Sequence, residues 1–468
     1  MGTLNSCAAI LTALAIAGGC ANSRPPDADT PARPEAFRVD PPPARTRASA
    51  GPAPAETDAH RPAVADPVPV DLSIALRLAD VIRLAADRNP KVAAARARWQ
   101  AAIEKHPQAL SLPDPMVAAG IRYLDDRHGP QVWVYNARQE IPFPTKLFAQ
   151  AAIADREAEK ARLEYLAAIR DAVIDAQEAF HELAYLDRAE TTIDQVRELL
   201  RRYSAFATGE LPKGGTTLPE TFRAQSQLAQ LDYDRVLVRE LRETERARLR
   251  SILRLTRGTP LGPAEPPPYR PVETKLEELT ALAERWNEEL RMAGVEVERA
   301  GNETSLARQS RIPDLALEVE VMAPDTGEEP DETTAMLGLT LPIWEHRNAA
   351  RVREAEALRE AAVAERMGRH AEIEAATARL YFRLSNAQRL VTLYRDSLIP
   401  QALQAMNAAE ELFRAKQASF AATVETAATW YNFQLAYFRA LADQGQATAR
   451  LEQVLGTTAE PRRAGGGE

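Results

Sequence analysis

The sequence predicts a mainly helical protein in which one unit of helix, strand, strand, helix and helix occurs twice. Three observations support this fold class. Hydrophobic residues make up 45% of the 468 residues but aromatic residues only 6%, a balance typical of long helices that pack through small side chains. Prolines are absent from long stretches of the chain. Finally, several landmark residues recur at a nearly constant spacing, which indicates an internal repeat.

The chain begins with a predicted export signal, residues 1–19. An apolar run, residues 8–17, precedes Gly18, Gly19 and Cys20, as in a secretory signal peptide, and it is too short to span a bilayer. A cysteine after small residues resembles the site at which bacterial lipoproteins are cleaved and acylated. Cys20 is therefore the candidate lipid anchor, carrying palmitate. A cleaved signal with an incidental cysteine is the alternative.

Residues 20–71 are predicted to form an extended, lipid-anchored tether. Between residues 21 and 70 lie 12 of the chain's 33 prolines, together with scattered Arg and Asp. A segment of this composition buries too little apolar surface to build a core. The folded body therefore begins near residue 72.

The body is predicted to contain very long helices. Prolines are missing from residues 145–211, 220–259, 272–312, 343–399 and 401–460. Residues 145–208 also lack glycine, so one helix can run about 95 Å there. Apolar residues inside it alternate in steps of four and three, which predicts heptad packing against neighbouring helices. They are Ile169, Val173, Ala176, Phe180 and Leu183.

The two halves of the body correspond to each other. The matched landmarks are Pro113-Asp114 with Pro313-Asp314 and Ile141-Pro142-Phe143 with Leu341-Pro342-Ile343, at an offset of 200, and Asn89 with Asn287, at 198. This spacing divides the body into a first repeat, 72–257, a Pro-rich linker, 258–274, and a second repeat, 275–456. The Gly-rich residues 457–468 are predicted to be a disordered tail.

Between the paired landmarks the apolar period changes to two, which predicts strands. The predicted strands cover residues 116–124, 131–141, 315–321 and 334–341. Their length suits tilted membrane strands, but four strands cannot close a barrel, which needs about eight or more, whereas three chains would supply 12. Glu318 and Glu320 would then face a water-filled lumen. Two soluble hairpins on a helical scaffold are the alternative.

The order of these motifs resembles the TolC family of outer-membrane efflux channels, including its outer membrane factor lipoproteins. The segments that carry the resemblance are Leu72–Pro90, Leu112–Pro115, Gln139–Leu147, Arg311–Val319 and Leu339–Ala350. The resemblance covers about residues 72–456. It implies a homotrimer in which a 12-stranded β-barrel in the outer membrane continues into a long α-helical barrel in the periplasm. The implied partners are a periplasmic adaptor (membrane fusion) protein, an inner-membrane pump of RND or ABC type, and outer-membrane lipid, with no cofactor.

The resemblance also implies a periplasmic gate and adaptor-docking tip where each long helix turns back. In this sequence the turns are Phe206–Glu220 and Phe413–Glu425. The candidate tip residues are Gly209, Glu210, Gly214, Gly215, Glu220, Lys416, Gln417 and Glu425. Their glutamates would either ring the entrance and attract cations or serve as ordinary charges at helix ends.

Other classes of protein leave poor signals in the sequence. A net charge of -9 argues against a nucleic-acid partner. Both cysteines, Cys7 and Cys20, precede the body, so no disulfide framework or Cys-ligated metal site is expected in it. His181-Glu182 lacks the second histidine of a metalloprotease helix, because Tyr185 stands in its place. No catalytic residue and no metal site are predicted.

The predicted function is the outer-membrane channel of a tripartite efflux or secretion system, which passively passes substrates delivered by the pump and the adaptor. The alternative from another class is a periplasmic or secreted coiled-coil scaffold without a pore. The sequence leaves the cargo open among drugs, metal ions and proteins.

Overall fold

The computed structural model describes residues 72–123, 131–210, 218–324, 331–415 and 417–459. The predicted signal peptide, Cys20 and the tether lie outside the described residues, as does the tail from residue 460. Within the described ranges, no helix is both long enough and apolar enough to cross a membrane.

The first repeat contains five helices and three strands among the described residues. They are β1 (Leu76–Arg77), α1 (Leu78–Arg88), α2 (Pro90–Ile103), α3 (Lys105–Leu110), β2 (Met116–Tyr123), β3 (Gln131–Ile141), α4 (Pro144–Glu210) and α5 (Leu218–Ile252). Helix α4 has 67 residues, about 100 Å in length, and confirms the single long helix predicted from the missing prolines and glycines.

The second repeat follows the same order after the short strand β4 (Ala264–Glu265). Its elements are α6 (Leu276–Trp286), α7 (Glu288–Gln309), β5 (Asp314–Pro324), β6 (Glu332–Thr340), α8 (Glu345–Leu393), α9 (Ile399–Arg414) and α10 (Phe420–Leu455). The expected order of helix, strand, strand, helix and helix is therefore present in both halves, with the first helix of each divided at an asparagine.

Asn89 and Asn287, the matched asparagines, close the two repeats in the same way. Their side-chain oxygens cap α2 and α7, accepting from the Lys91 N–H and the Leu290 N–H, each at 2.9 Å. Their amide nitrogens donate to the Ile252 carbonyl at 3.4 Å and to the Val454 carbonyl at 2.7 Å, in the last turns of α5 and α10. Each asparagine thus ties the start of its repeat to the end.

Two prolines lie within helical backbone, although proline usually ends a helix. Pro107 lies in the first turn of α3, where no backbone N–H is needed, and the chain stays helical to Leu110 instead of ending at the proline. Pro400 cannot donate to the Asp396 carbonyl. A π-helical turn, Tyr394–Leu398, precedes this proline and joins α8 to α9.

The four long strands form one antiparallel sheet in the order β2-β3-β5-β6. The predicted hairpins β2–β3 and β5–β6 are joined through β3 and β5, with Ile141 opposite Leu315 and Val132 opposite Pro324. Among the described residues β2 and β6 have no second neighbour. Strands β1 and β4 form a separate parallel pair.

The helices bury the heptad positions that the sequence predicts. Phe180 and Leu183 of α4 are fully buried, in a cluster with Leu76 and the last turn of α5. A second cluster joins the far end of α4 to α5, α9 and α10, and a third packs α6 against α8 and α10. These clusters pack α4 and α8 against the helices around them. The four-stranded sheet lies at one end of both long helices.

Candidate functional site

The four-stranded sheet has one apolar face, formed by the odd-numbered residues of all four strands. The register aligns them, since Ile121 lies opposite Trp133, Ala137 opposite Val319, and Val319 opposite Ala335. Exposed members of this face include Val117, Ile121, Trp133, Tyr135, Leu315, Leu317, Leu337 and Leu339. Val117 is 75% exposed and Leu337 74%. A contiguous exposed apolar face of this kind marks a contact with lipid or another protein.

The even-numbered residues form a polar face with both signs of charge. Glu318 accepts a hydrogen bond from the Asn136 side-chain nitrogen at 2.5 Å, and Glu320 lies 3.9 Å from Arg122. Arg138 and Glu140 follow along β3, 3.5 Å apart. Both glutamates that the sequence singles out therefore share one face, half-buried among polar neighbours. The alternation of β3 places Asn136, Arg138 and Glu140 on this face, although none of them is among the predicted site residues.

The junction between sheet and helices brings the two repeated motifs into contact. Asp314 accepts hydrogen bonds from the Phe143 N–H at 2.8 Å and from Lys146 Nζ at 2.8 and 2.9 Å. Lys146 Nζ also donates to the Ile312 carbonyl at 2.7 Å. The Pro-Asp motif of the second repeat is thereby bound to the start of α4 in the first.

Along the helices, acidic residues of α4 pair with arginines on both sides. Glu190 contacts Arg239 at 2.5 Å and also Arg242, both on α5. Glu182 lies 2.9 Å from Arg439, and Glu178 pairs with Arg450, both on α10. These half-buried pairs hold α4 between two antiparallel neighbours, so the helices form a continuous wall.

His181 lies inside this wall and is a packing residue. Burial lowers the pKa of His181 to about 4, so the imidazole is neutral near pH 7. Gly445 of α10 faces it so closely that a Cβ atom there would overlap the ring. Among the described residues, no three or more His, Cys, Asp and Glu side chains group as they would around a metal ion.

Parts of both segments predicted as turns are helical. Helix α4 continues through Gly209 and Glu210, and Glu220 lies in the first turn of α5. Gln417 and Glu425 are exposed, the first in the turn between α9 and α10 and the second on α10. Gly214, Gly215 and Lys416 lie outside the described residues.

An aromatic cluster lies close to these turns. The rings of Tyr203 and Phe413 are 6.4 Å apart between centroids, and those of Phe413 and Phe420 5.8 Å. Burial is the main cause that raises the pKa of Tyr203 to about 12. Tyr203 belongs to α4, whereas Phe413 and Phe420 lie within the second predicted turn, Phe413–Glu425. Their packing depends on a contact between α4, α9 and α10 that is distant in sequence.

The comparisons with known proteins agree with this architecture. Residues 279–457 match the family model described as outer membrane efflux protein. Three similar solved structures are the outer membrane protein VceC of Vibrio cholerae, the CmeC outer membrane channel of Campylobacter jejuni and the open state of the MtrE outer membrane channel of Neisseria gonorrhoeae. No curated protein matches the chain significantly.

These structures share the fold at low sequence identity. VceC is 18% identical with a TM-score of 0.67, over 82% of this chain and 97% of its own. CmeC is 14% identical with a TM-score of 0.67, over 81% and 85%. MtrE is 14% identical with a TM-score of 0.68, over 82% and 90%.

The resemblance to TolC-like outer-membrane efflux channels is thereby confirmed. The chain has the fold of these channels, and its second half carries the sequence pattern of the outer membrane efflux proteins. The matched family model describes efflux proteins, and CmeC and MtrE are outer membrane channels.

Proposed function

We propose that this protein is the outer-membrane channel of a tripartite efflux or secretion system. In this role it passes substrates passively, and an inner-membrane pump of RND or ABC type supplies them through a periplasmic adaptor. The observation that carries the proposal is the sheet at one end of the long helices. It has an exposed apolar face, a polar face and two edges that are open among the described residues.

Three copies would solve the problem of the open edges. In lipid, the unpaired backbone groups of β2 and β6 would each cost several kcal/mol, so strands cross a membrane only as closed barrels. Three four-stranded sheets give the 12-stranded β-barrel proposed here, with the apolar face toward lipid. The long helices would then form the α-helical barrel that extends into the periplasm.

In this arrangement the polar face lines the lumen. Glu318 and Glu320 would be repeated threefold around the pore, beside Arg122 and Arg138. Rings of carboxylates attract cations in a narrow passage. The basic residues would moderate this preference without cancelling it, because Glu140 lies on the same face.

The remaining assignments complete the proposal. The helix turns, with Glu210, Glu220, Gln417 and Glu425 among the described residues, would form the gate and the adaptor-docking tip. Cys20 would be the palmitoylated anchor of an outer-membrane lipoprotein. The boundaries of signal peptide, tether, repeats and linker stay predictions.

The experiment that tests this function is conductance across a planar lipid bilayer, with the oligomer mass measured in the same detergent extract. We expect particles of three chains that insert and conduct. A species that stays soluble without detergent and does not conduct would overturn the proposal and favour the scaffold. Since a closed tip would also abolish conductance, the measurement is repeated after cleavage of a protease site inserted in residues 211–217.

A further inference from the structure

Within one chain, the first repeat meets the second along a junction with two parts. In the sheet, Gln139 of β3 lies opposite Leu317 of β5. Between the helices, Lys160 of α4 pairs with Glu296 of α7 at 3.1 Å, and Arg156 pairs with Glu298 at 2.7 Å. This junction joins two units of like fold, so it is a template for how the second repeat of one copy could meet the first repeat of another.

The surfaces that such a contact would use are uncovered in the single chain. Strands β2 and β6 are open edges among the described residues. Helix α5 packs on α4 and exposes an apolar stripe, whereas α10, its counterpart in the second repeat, packs on both α4 and α8. The stripe consists of Phe222, Tyr233, Val236, Leu237 and Leu241. In the second repeat, helix α8 exposes Leu358 and Phe382.

The landmarks give the position that each junction residue takes one repeat further on. Strand positions and the parts of the long helices near the sheet correspond at the offset of 200, since Asp155 contacts His106 as Ala355 contacts Thr304. Gln139 therefore corresponds to Leu339, Leu317 to Val117 and Lys160 to Glu360. The short helices correspond at 198, so Glu296 corresponds to Arg98. The salt bridge between Lys160 and Glu296 therefore corresponds to a second pair, Glu360 and Arg98, in which the acidic and basic partners are exchanged.

Arg98 and Glu360 are exposed, and within the described part of the chain neither has an ion-pair partner. We propose that Glu360 of one copy pairs with Arg98 of the partner subunit, and that β6 pairs with β2 of the partner so that Leu339 lies opposite Val117. This inference rests on the proposed trimeric channel and deepens it by naming the residues that join the subunits.

The helical half of the proposal is tested by charge reversal. Glu360→Arg and Arg98→Glu should each raise the dissociation constant of the detergent-solubilised trimer by about tenfold, because three junctions are weakened at once. The combined variant should restore the wild-type value. Glu365→Arg, about 140° further around α8, makes the same change in charge and should have no effect. Single variants that dissociate like the control, or a combined variant that is not restored, would overturn the pairing.

The strand register is tested by disulfide formation. Leu339→Cys with Val117→Cys should give covalently linked copies, and Leu337→Cys with Val117→Cys, shifted by two residues, should not. These positions lie on opposite edges of one sheet, so only a bond between copies can form. The single-cysteine variants control for Cys7 and Cys20. A conducting trimer that crosslinks only in the shifted register would overturn this inference alone, whereas a monomer without conductance would overturn the proposed function as well.

Discussion

The two glutamates of β5 carry the most direct prediction about transport. Changing Glu318 and Glu320 together to Gln should lower the preference of the pore for cations, because six carboxylates leave the lumen of a trimer while Arg122 and Arg138 stay. Reversal potentials under a salt gradient measure this preference. Glu278→Gln, an exposed position on α6, is the matched control. An unchanged reversal potential would place both side chains outside the lumen.

Gly445 carries a prediction about stability, because its missing side chain lets α10 approach His181. Gly445→Ala would force the ring and the helix apart and should lower the free energy of unfolding by about 1–3 kcal/mol. Gly294 of α7 has open space around it, and Gly294→Ala should raise stability by up to about 1 kcal/mol. Thermal unfolding in detergent distinguishes the two. Equal shifts in both variants would contradict the close contact.

Asn287 shows how one side chain can close a whole repeat. Asn287→Ala removes the cap of α7 and the 2.7 Å bond to Val454 and should cost about 2–3 kcal/mol. Asn89→Ala should cost less, because its corresponding bond to Ile252 is longer at 3.4 Å. Asn407→Ala, exposed on α9, is the control for loss of an asparagine. Chemical unfolding measures the free energy of unfolding of all three variants. Equal losses for Asn287→Ala and Asn407→Ala would show that Asn287 does not connect the two ends of the repeat.

The helices and strands could be predicted from sequence because their signals are local. The absence of proline and glycine indicates α4 directly, and the alternation of residues 315–321 indicates β5. The union of the two hairpins through β3 and β5 could not be predicted, because backbone pairing between strands so distant in the chain leaves no periodic mark. The π-helical turn before Pro400 could not be predicted for a different reason. A proline indicates that a helix breaks, but it does not indicate that a π-helical turn will keep the backbone helical.

The candidate site was predictable to a similar depth. Glu318 and Glu320 stand out in the sequence because charged residues interrupt an apolar run. Asn136 and Arg122 become site residues only through their contacts with these two glutamates in the folded sheet. The matched asparagines were recognised as a repeat, but their bonds to the ends of α5 and α10 are tertiary contacts. Pattern therefore identified the positions, and only the fold supplied their partners.

For the molecule as a whole, a buried ion pair joins the two repeats. Arg170 of α4 lies 2.6 Å from Glu288 at the start of α7 and donates to the Gly456 carbonyl at 2.6 Å. Arg170→Leu would leave the Glu288 carboxylate buried without this partner and should cost about 3–5 kcal/mol. Arg170→Leu with Glu288→Leu should recover part of that loss in thermal unfolding. A double variant that unfolds below the single variant would contradict this account.

The open edges of β2 and β6 have a consequence for the time that follows synthesis. In the described part of the chain, a lone copy leaves two edge strands unpaired and an apolar face exposed, which makes it a template for uncontrolled strand addition. When it meets other copies, closure of the proposed barrel therefore competes kinetically with aggregation. At low expression, slow encounter would lengthen the life of the vulnerable species, and a chaperone that shields the apolar sheet would raise the yield of assembled protein.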